Sequence, residues 1–484
     1  MKRLLGKQGL RMLKMVSYLY QNEWVTLENV SEVIGYSERT LREDIKYLNS
    51  IMVPIEITAS TKLGVKLMIP QGYSLKYIHS LLLSDSLHFN ILEAIFLHDY
   101  EDVAELADAL YSSPTVISKA INQINQIIKS HHFEITTSPL AISGSEQWVT
   151  AYFRSYFLAK YDSQLPLEPE LVEPVQVAIN QLYKAESATI LPMNRNLLVL
   201  YGVIRVFRMS RNPQNQYDQF DTQEVYSQAI CEYNRTLSDL AALEETHDFF
   251  REIWRPSQNE FMCFRMDEFQ QLAKGHPAVK QTYKLYADLA NQIETELGFH
   301  FNFKEWFIFN LYNTTISEKY HIPVLTDRAA YLLPNIKKRV PFLFLTVSRI
   351  VDALAPKLGL EPEKMLYNVF SSADDFLTTG YQKQPKLKVA IYSNYNNIIV
   401  ANNWSVIKNT FVNQFDVSII QSTFADARQE INDSFDLLIT DINNIEIDID
   451  YFCIPFDISP KEIAMLEDYY FNAMIAQVAT IHGK

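Results

Sequence analysis

One pattern of apolar and polar residues occurs twice in this chain, 76 positions apart, and it constrains the N-terminal third more than any other feature. In the first copy, TLENVSEVIGYSERTLREDIKYLNSI, Thr26 precedes Leu27 as a helix cap, Val30, Val33 and Ile34 form an apolar face, Gly35 breaks the helix and Ser37 caps the next. Leu41, Ile45 and Leu48 then point inward, leaving Ser37, Glu38, Arg39, Arg42, Glu43 and Lys46 outward. The 76-residue shift aligns Val30 with Leu106, Val33 with Ala109, Ile34 with Leu110, Ser37 with Ser113, Leu41 with Ile117, Ile45 with Ile121, Leu48 with Ile124 and Asn49 with Asn125. Each copy is followed by an extended piece: IEITASTKLGVKLMI alternates around a Lys62-Leu63-Gly64 turn, and HHFEITTSPLAISG follows the second copy. Ahead of the first copy, Arg3, Lys7, Arg11 and Lys14 share one stripe of a helix whose Leu5, Met12, Met15 and Leu19 lie elsewhere on the wheel. A lone amphipathic helix with outward Arg, Glu and Lys reads as a solvated face. Its repetition with a turn and a hairpin predicts two tandem winged helix-turn-helix units.

Such units present a recognition helix and a wing to duplex DNA. In the first unit Ser37 opens that helix, Arg39, Arg42 and Lys46 are placed for base edges or phosphates, and Lys62 and Lys66 are the wing's phosphate contacts. In the second, Ser113 caps, Pro114 takes the first helical position, and Thr115, Ser118, Lys119, Asn122 and Gln123 face outward. With one cation among those five, this helix depends on hydrogen bonds more than on charge. The net charge of −14, taken whole, opposes a polyanion partner, but residues 1–70 hold ten Lys or Arg against seven Asp or Glu, a net +3 that leaves −17 on the rest. The sparse, partly neutral recognition helices point to sequence-tolerant binding with readout through DNA shape.

The remaining composition excludes other classes. The 484 residues are 48 % hydrophobic and 21 % charged, which fits several ordinary globular domains. The most apolar run, Leu197 to Met209, is interrupted by Arg205 and Arg208, and MKRLLGKQGLRMLKM has no apolar leader core, so a cytoplasmic protein with no membrane partner is expected. Cys231, Cys263 and Cys453 form no metal-like pair and are expected to be buried thiols. With 12 glycines and neither GxxxxGK[ST] nor GxGxxG, a nucleotide loop is not expected; nor is a cofactor, a metal site or an enzyme.

From Glu146 to Phe376 the pattern is helical, with loops such as SRNPQNQYDQ (Ser210 to Gln219), and fits two bundles; PFLFLTVSRIVDALA reads as a buried helix and FHFNFKEWFIFNLYN as core. After a linker, GYQKQPK (Gly380 to Lys386), strands alternate with helices: LKVAIYS, VSIIQS, DLLITDI and IDYFCIP predict a parallel sheet of four strands, and Ser459 and Glu462 a capping box on the last helix. The loop Ser393 to Asn397 after the first strand lacks Gly, Cys and His, which favours a structural or dimerisation role over catalysis.

Taken in order, these parts resemble the Mga/AtxA family of transcriptional regulators over the whole chain. The fold so implied is mainly α and multidomain: winged helices at 1–70 and 71–160, helical bundles at 161–275 and 276–382 that are phosphotransferase-system regulation domains (PRDs), and an EIIB-like α/β domain with a small parallel sheet at 386–484. The resemblance implies a DNA-binding activator linked to carbohydrate metabolism and virulence, a homodimer formed through the C-terminal domain, and phosphocarrier proteins of the sugar phosphotransferase system as partners. Control through histidine phosphorylation is part of what it implies, and His247, His276, His300 and His321 are the candidates near the bundles. Two departures stand out: LLVLYGVIRVFRM, where a first-bundle site is expected, has no histidine, and the tail's cysteine is Cys453 rather than one in the loop after the first strand. Two other classes share features with this chain, an RNA-binding PRD antiterminator and a phosphotransferase component. The first would begin with a β-rich RNA module and the second would need the loop cysteine.

Overall fold

The computed structural model describes residues 1–161, 165–169, 172–173, 175–177, 195–211, 266–298, 300–372, 376–394, 397–454 and 458–482. They are mainly helical and fall into two compact units, residues 1–272 with 316–327, and residues 273–315 with 328–484. Cys231, Cys263, His247 and most of the predicted first bundle lie outside the described residues.

In the first unit, helix α1 (Gly6–Gln21) buries Met12, Met15, Val16 and Leu19. Helix α2 (Leu27–Ile34) starts where Thr26 Oγ1 accepts from the Asn29 amide at 3.2 Å, and it ends at Gly35 with φ +79°, a left-handed conformation that favours glycine. Helix α3 (Glu38–Ile51) starts at Ser37, whose Oγ accepts from the Thr40 amide at 3.3 Å. Strands β1 (Glu56–Ser60) and β2 (Gly64–Met68) form the antiparallel wing with Ile57 opposite Leu67. Val25 bridges Val65 so closely that a Cβ on Gly64 would fall 2.0 Å from the Val25 carbonyl oxygen. Val33, predicted inward, is 63 % exposed. The buried arc of this short helix is Leu27, Val30 and Ile34, and Val33 falls beside it.

The second copy comprises α4 (Leu75–Ser84), α5 (Leu87–Leu97), α6 (Val103–Ala109), α7 (Pro114–Ile128) and the hairpin of β3 (Phe133–Thr137) and β4 (Leu140–Gly144). By the same offset, Ile91, Leu92 and Ile95 of α5 hold the buried places of Met15, Val16 and Leu19. Among the described residues no single helix is long and apolar enough to cross a membrane; α4 and α5 pass that test only as a pair bent by 76°. Ile78, Leu82, Phe89, Leu92 and Phe96 of this pair are buried in the core.

Two asparagines fix the hairpins. Asn49 Oδ1 accepts from the Ile57 amide at 2.8 Å while its Nδ2 donates to the Ile57 carbonyl at 3.0 Å. Asn125 makes the same pair of bonds to Ile135, both at 2.8 Å. Behind both copies the buried side chains form one contiguous cluster, which takes in α8 (Glu146–Tyr161), Leu200 and Ile204 of α9 (Arg195–Arg211), and Ile322, Val324 and Leu325.

In the second unit, α10 (Met266–Gly275) leads into α11 (Pro277–Leu297) and α12 (Lys304–Lys319); α10 and α12 each extend past the unit boundary. Then follow α13 (Arg328–Arg339), α14 (Pro341–Leu354), α15 (Pro362–Ser371) and α16 (Phe376–Gln382). The predicted core helix is α14, and Phe301, Phe307, Phe309 and Tyr312 are buried, although Phe303 is exposed. The predicted linker begins inside α16, where Gly380 packs against Leu343. Beyond it lie β5 (Leu387–Tyr392), α17 (Asn397–Thr410), β6 (Phe415–Ile419), α18 (Phe424–Ser434), β7 (Leu437–Thr440), β8 (Asp450–Cys453) and α19 (Pro460–His482). The sheet is parallel, ordered β6-β5-β7-β8. Its alternation sends Val389, Ile391, Leu437 and Ile439 into a core with α17 and α19, and Ala390 and Leu438 against α18. The Ser459 amide donates to Glu462 Oε2 at 3.0 Å, completing the predicted capping box. Cys453, expected to be buried, is exposed, because β8 is an edge strand; its Sγ donates to Asn443 Oδ1 at 3.0 Å.

Two buried polar groups of the first unit have measurable consequences. Arg11 turns out of the predicted basic stripe and grips Asp44 of α3 through two hydrogen bonds, Nη2 to Oδ1 at 2.8 Å and Nε to Oδ2, with the Asp44 side chain 2 % exposed. Removing one partner of such a pair leaves a buried charge, so Asp44→Ala should cost about 3 kcal/mol. The Arg11→Met/Asp44→Ala double variant should recover much of that loss in urea unfolding; by the repeat offset, Ala120 stands where Asp44 does. On α4, His79 is buried with Nδ1 3.3 Å from Thr326 Oγ1, and its Nε2 has no hydrogen-bond partner among the described residues. Burial, with a smaller contribution from the Lys2 charge, pushes its pKa down to about 4. The unfolded chain therefore binds the proton first, so this residue's contribution is complete above about pH 6.5 and lost as pH falls toward 4, a span worth at most about 3 kcal/mol. In unfolding titrations across that window, His79→Gln should flatten the pH dependence.

Candidate nucleic-acid interface

The recognition helices follow from local sequence. In α3, burial of Leu41, Asp44 and Leu48 leaves Arg39, Arg42 and Lys46 exposed on the opposite side. Arg42 Nη2 donates to Glu38 Oε2 at 2.9 Å and Arg39 Nε to Glu43 Oε1 at 3.4 Å. These are solvated i,i+4 pairs worth a few tenths of a kcal/mol each, which phosphate oxygens can displace at little cost. Lys46 makes no ion pair among the described residues. The Ser37 hydroxyl is occupied by its cap and by Thr40 Oγ1 at 2.9 Å, so its part is to start the helix. On the wing, Lys62 is exposed at the hairpin turn, whereas Lys66 is half-buried and paired with Glu23. Lys2, Arg3, Lys7 and Lys14 remain exposed, and Arg11 is withdrawn under Tyr36, 5.0 Å from its ring centroid.

In α7 the buried stripe is Ile117, Ala120, Ile121, Ile124 and Ile128, with Thr115, Ser118, Lys119 and Asn122 exposed. Gln123, also outward, is bonded to His88 at 2.9 Å. The helix carries no carboxylate, although Glu101, Asp102, Glu105 and Asp108 are exposed on and before α6. Both recognition helices are thus held alike, by a serine cap at one end and an asparagine clamp at the other. The sequence pattern aligned Asn49 with Asn125 without revealing that role, and it carried no sign of the Arg11–Asp44 grip or of Val116, which is 47 % exposed on the first turn of α7.

Three of the candidate histidines, His276, His300 and His321, lie among the described residues. His276 precedes α11, and burial lowers its pKa. In the same unit, His300 is exposed with Nδ1 3.6 Å from Glu294 Oε1. His321 belongs to the first unit, its Nδ1 3.4 Å from Ser155 Oγ. At the C-terminal end of β5, Ser393 Oγ donates to Asp441 Oδ2 at 2.8 Å and the Asn394 amide donates to Oδ1 at 3.1 Å. That loop is tied to the sheet by the Asp441 carboxylate, and Cys453 lies at the far strand. Among the described residues no group of three or more His, Cys, Asp or Glu is arranged to hold a metal.

Comparison with known proteins bears on these two helix-turn-helix units directly. Residues 11–54 match a DeoR-like helix-turn-helix domain and residues 71–157 the Mga helix-turn-helix domain. A proposed trans-acting regulator of Streptococcus pneumoniae is 22 % identical over 82 % of this chain and 83 % of its own. The anthrax toxin expression trans-acting positive regulator of Bacillus anthracis is 24 % identical over 42 % of this chain and 43 % of its own. The capsule synthesis positive regulator AcpA of the same organism is 22 % identical over 70 % and 73 %. With these two helix-turn-helix domains in tandem and relatives aligned along most of its length, the chain carries the Mga helix-turn-helix domain and is similar to regulators of the Mga/AtxA type.

Proposed function

We propose that this protein is a positive transcription regulator that binds duplex DNA through its tandem winged helices, with α3 and α7 as the reading elements. The observation that carries the proposal is the matched construction of those helices: the same cap, the same clamp and the same buried stripe, each time with an exposed polar face. Its relatives are named as positive regulators, one of anthrax toxin expression and one of capsule synthesis, which supports the direction of control. In this reading Arg39, Arg42, Lys46 and Lys62 supply the charged contacts and Thr115, Ser118, Lys119 and Asn122 the largely neutral ones. Ser37 acts through the helix it caps, and Lys66 through the base of the wing.

The finer assignments belong to the same proposal. Residues 1–70 and 71–160 act as the winged helices, 161–275 and 276–382 as PRDs, and 386–484 as an EIIB-like domain; the parallel order β6-β5-β7-β8 with helices on both faces supports the last. The homodimer forms through that domain, where Ile398, Met465 and Ile475 are exposed apolar side chains. Sugar phosphotransferase signalling enters through phosphocarrier proteins acting on a bundle histidine. The tail itself does not relay phosphate, since its loop begins with a serine bonded to Asp441 rather than with a cysteine.

The charged residues are tested by a duplex-DNA titration across salt concentrations. Replacing Arg39, Arg42 and Lys46 with Ala should weaken binding and flatten the slope of log K against log salt by about 0.9 for each phosphate that is no longer neutralised. An unchanged slope would exclude α3 from the interface.

A further inference from the structure

Tyr111 stands in the turn between α6 and α7, two residues before the Ser113 cap, at φ +51° and 99 % exposed. The turn is held by its backbone: the Tyr111 amide donates to the Asp108 carbonyl at 3.2 Å and the Ser112 amide to the Ala107 carbonyl at 2.9 Å. The ring adds nothing to packing. Residues with a Cβ are disfavoured in the left-handed region, and 76 positions earlier the same turn is made by Gly35 at φ +79°. The second unit thus accepts both a disfavoured backbone and a fully solvated aromatic ring where the first uses glycine, and this combination concentrates at functional positions.

The surroundings indicate what the ring meets. Thr115, Val116, Ser118, Lys119 and Asn122 continue the exposed face along α7, which carries no carboxylate to repel phosphate. Carboxylates do crowd the preceding element, but Asp102 accepts from the Ala104 and Glu105 amides, and Glu105 from the Glu101 amide. A cation placed among these acids would be neutralised internally. A phenol is a donor that carries no charge, and its ring gives apolar surface as well.

We propose that Tyr111 is a DNA-contacting residue. Its hydroxyl donates to a phosphate oxygen at the edge of the groove that α7 enters, while its ring and Val116 lie against sugar or thymine methyl groups. The inference rests on the reading that the tandem units bind duplex DNA, and it assigns the second unit a neutral anchor in place of the arginines of α3.

Tyr111→Gly tests it cleanly, because glycine relieves the backbone. In the full-length protein this variant should melt no lower than the parent and bind duplex DNA about ten-fold more weakly, since it removes both a hydrogen bond to a charged group and the apolar surface of the ring. The salt slope should stay unchanged because no charge is removed. Tyr111→Phe, which keeps the ring, should weaken binding several-fold and decides the matter should the glycine variant melt lower. Parental affinity in both variants would overturn the proposal and leave Tyr111 as a contact for another protein. Failure of the parent protein itself to bind duplex DNA at any salt concentration would instead overturn the reading on which the proposal rests.

Discussion

Each recognition helix is held at its two ends by one polar side chain, and the interface depends on that restraint. A serine hydroxyl fixes where α3 and α7 begin, and an asparagine amide, bonded to both the N–H and the C=O of one strand residue, fixes how the following hairpin leaves them. The strand amide and carbonyl so engaged are backbone groups that would otherwise need water or another strand. With both ends set, the apolar stripe has only one way to face, and the residues between its members face solvent. The outward position of Arg39 or Asn122 is therefore a consequence of burying Leu41 or Ile121.

The two units share this frame and differ in what they mount on it. Where α3 carries the buried Asp44 held by Arg11, α7 carries Ala120 within an all-aliphatic stripe. The first unit thus uses one of its cations internally, and two others are restrained by neighbouring glutamates. The second has few cations to use. Both copies bury their apolar faces in one contiguous core that also contains Ile322, Val324 and Leu325, residues that come after α12 in sequence. Packing against that core, rather than helix propensity, holds short helices such as the seven-residue α6 in place.

Much of this was legible in the sequence because it follows from periodicity. The two helix-turn-helix patterns, the first wing turn, the α/β alternation of the tail and its capping box all rest on local spacing, and local spacing is what a sequence displays. What escaped depends on partners distant in sequence. Arg11 and Asp44 are 33 residues apart, so Arg11 read as one more member of an exposed stripe. Lys66 read as a free phosphate contact because Glu23, 43 residues away, gave no hint of meeting it. Cys453 read as a buried thiol because composition does not say that its strand lies at the sheet edge. Val33 read as core because three apolar residues on a short helix suggest a wider face than the structure buries.

The division of charge takes on a sharper form once these partners are known. A basic head on an acidic chain suggests a simple electrostatic grip, yet the cations of the head are not equivalent. Arg11 is consumed by the core, Lys66 by Glu23, and Arg39 and Arg42 each sit beside a glutamate, leaving Lys2, Arg3, Lys7, Lys14, Lys46 and Lys62 to project without an ion pair among the described residues. Four of those six lie at the start of the chain, on or just before α1, rather than on a recognition helix or wing. In the DNA-binding reading proposed above, long-range attraction is then concentrated at the start of the chain, on and just before α1, while the surfaces assigned to groove reading are close to neutral, with each arginine able to exchange a glutamate for a phosphate. Such an arrangement separates affinity from readout. It predicts association that weakens steeply with salt but discrimination that does not, because hydroxyl, amide and apolar contacts to the groove release few counterions.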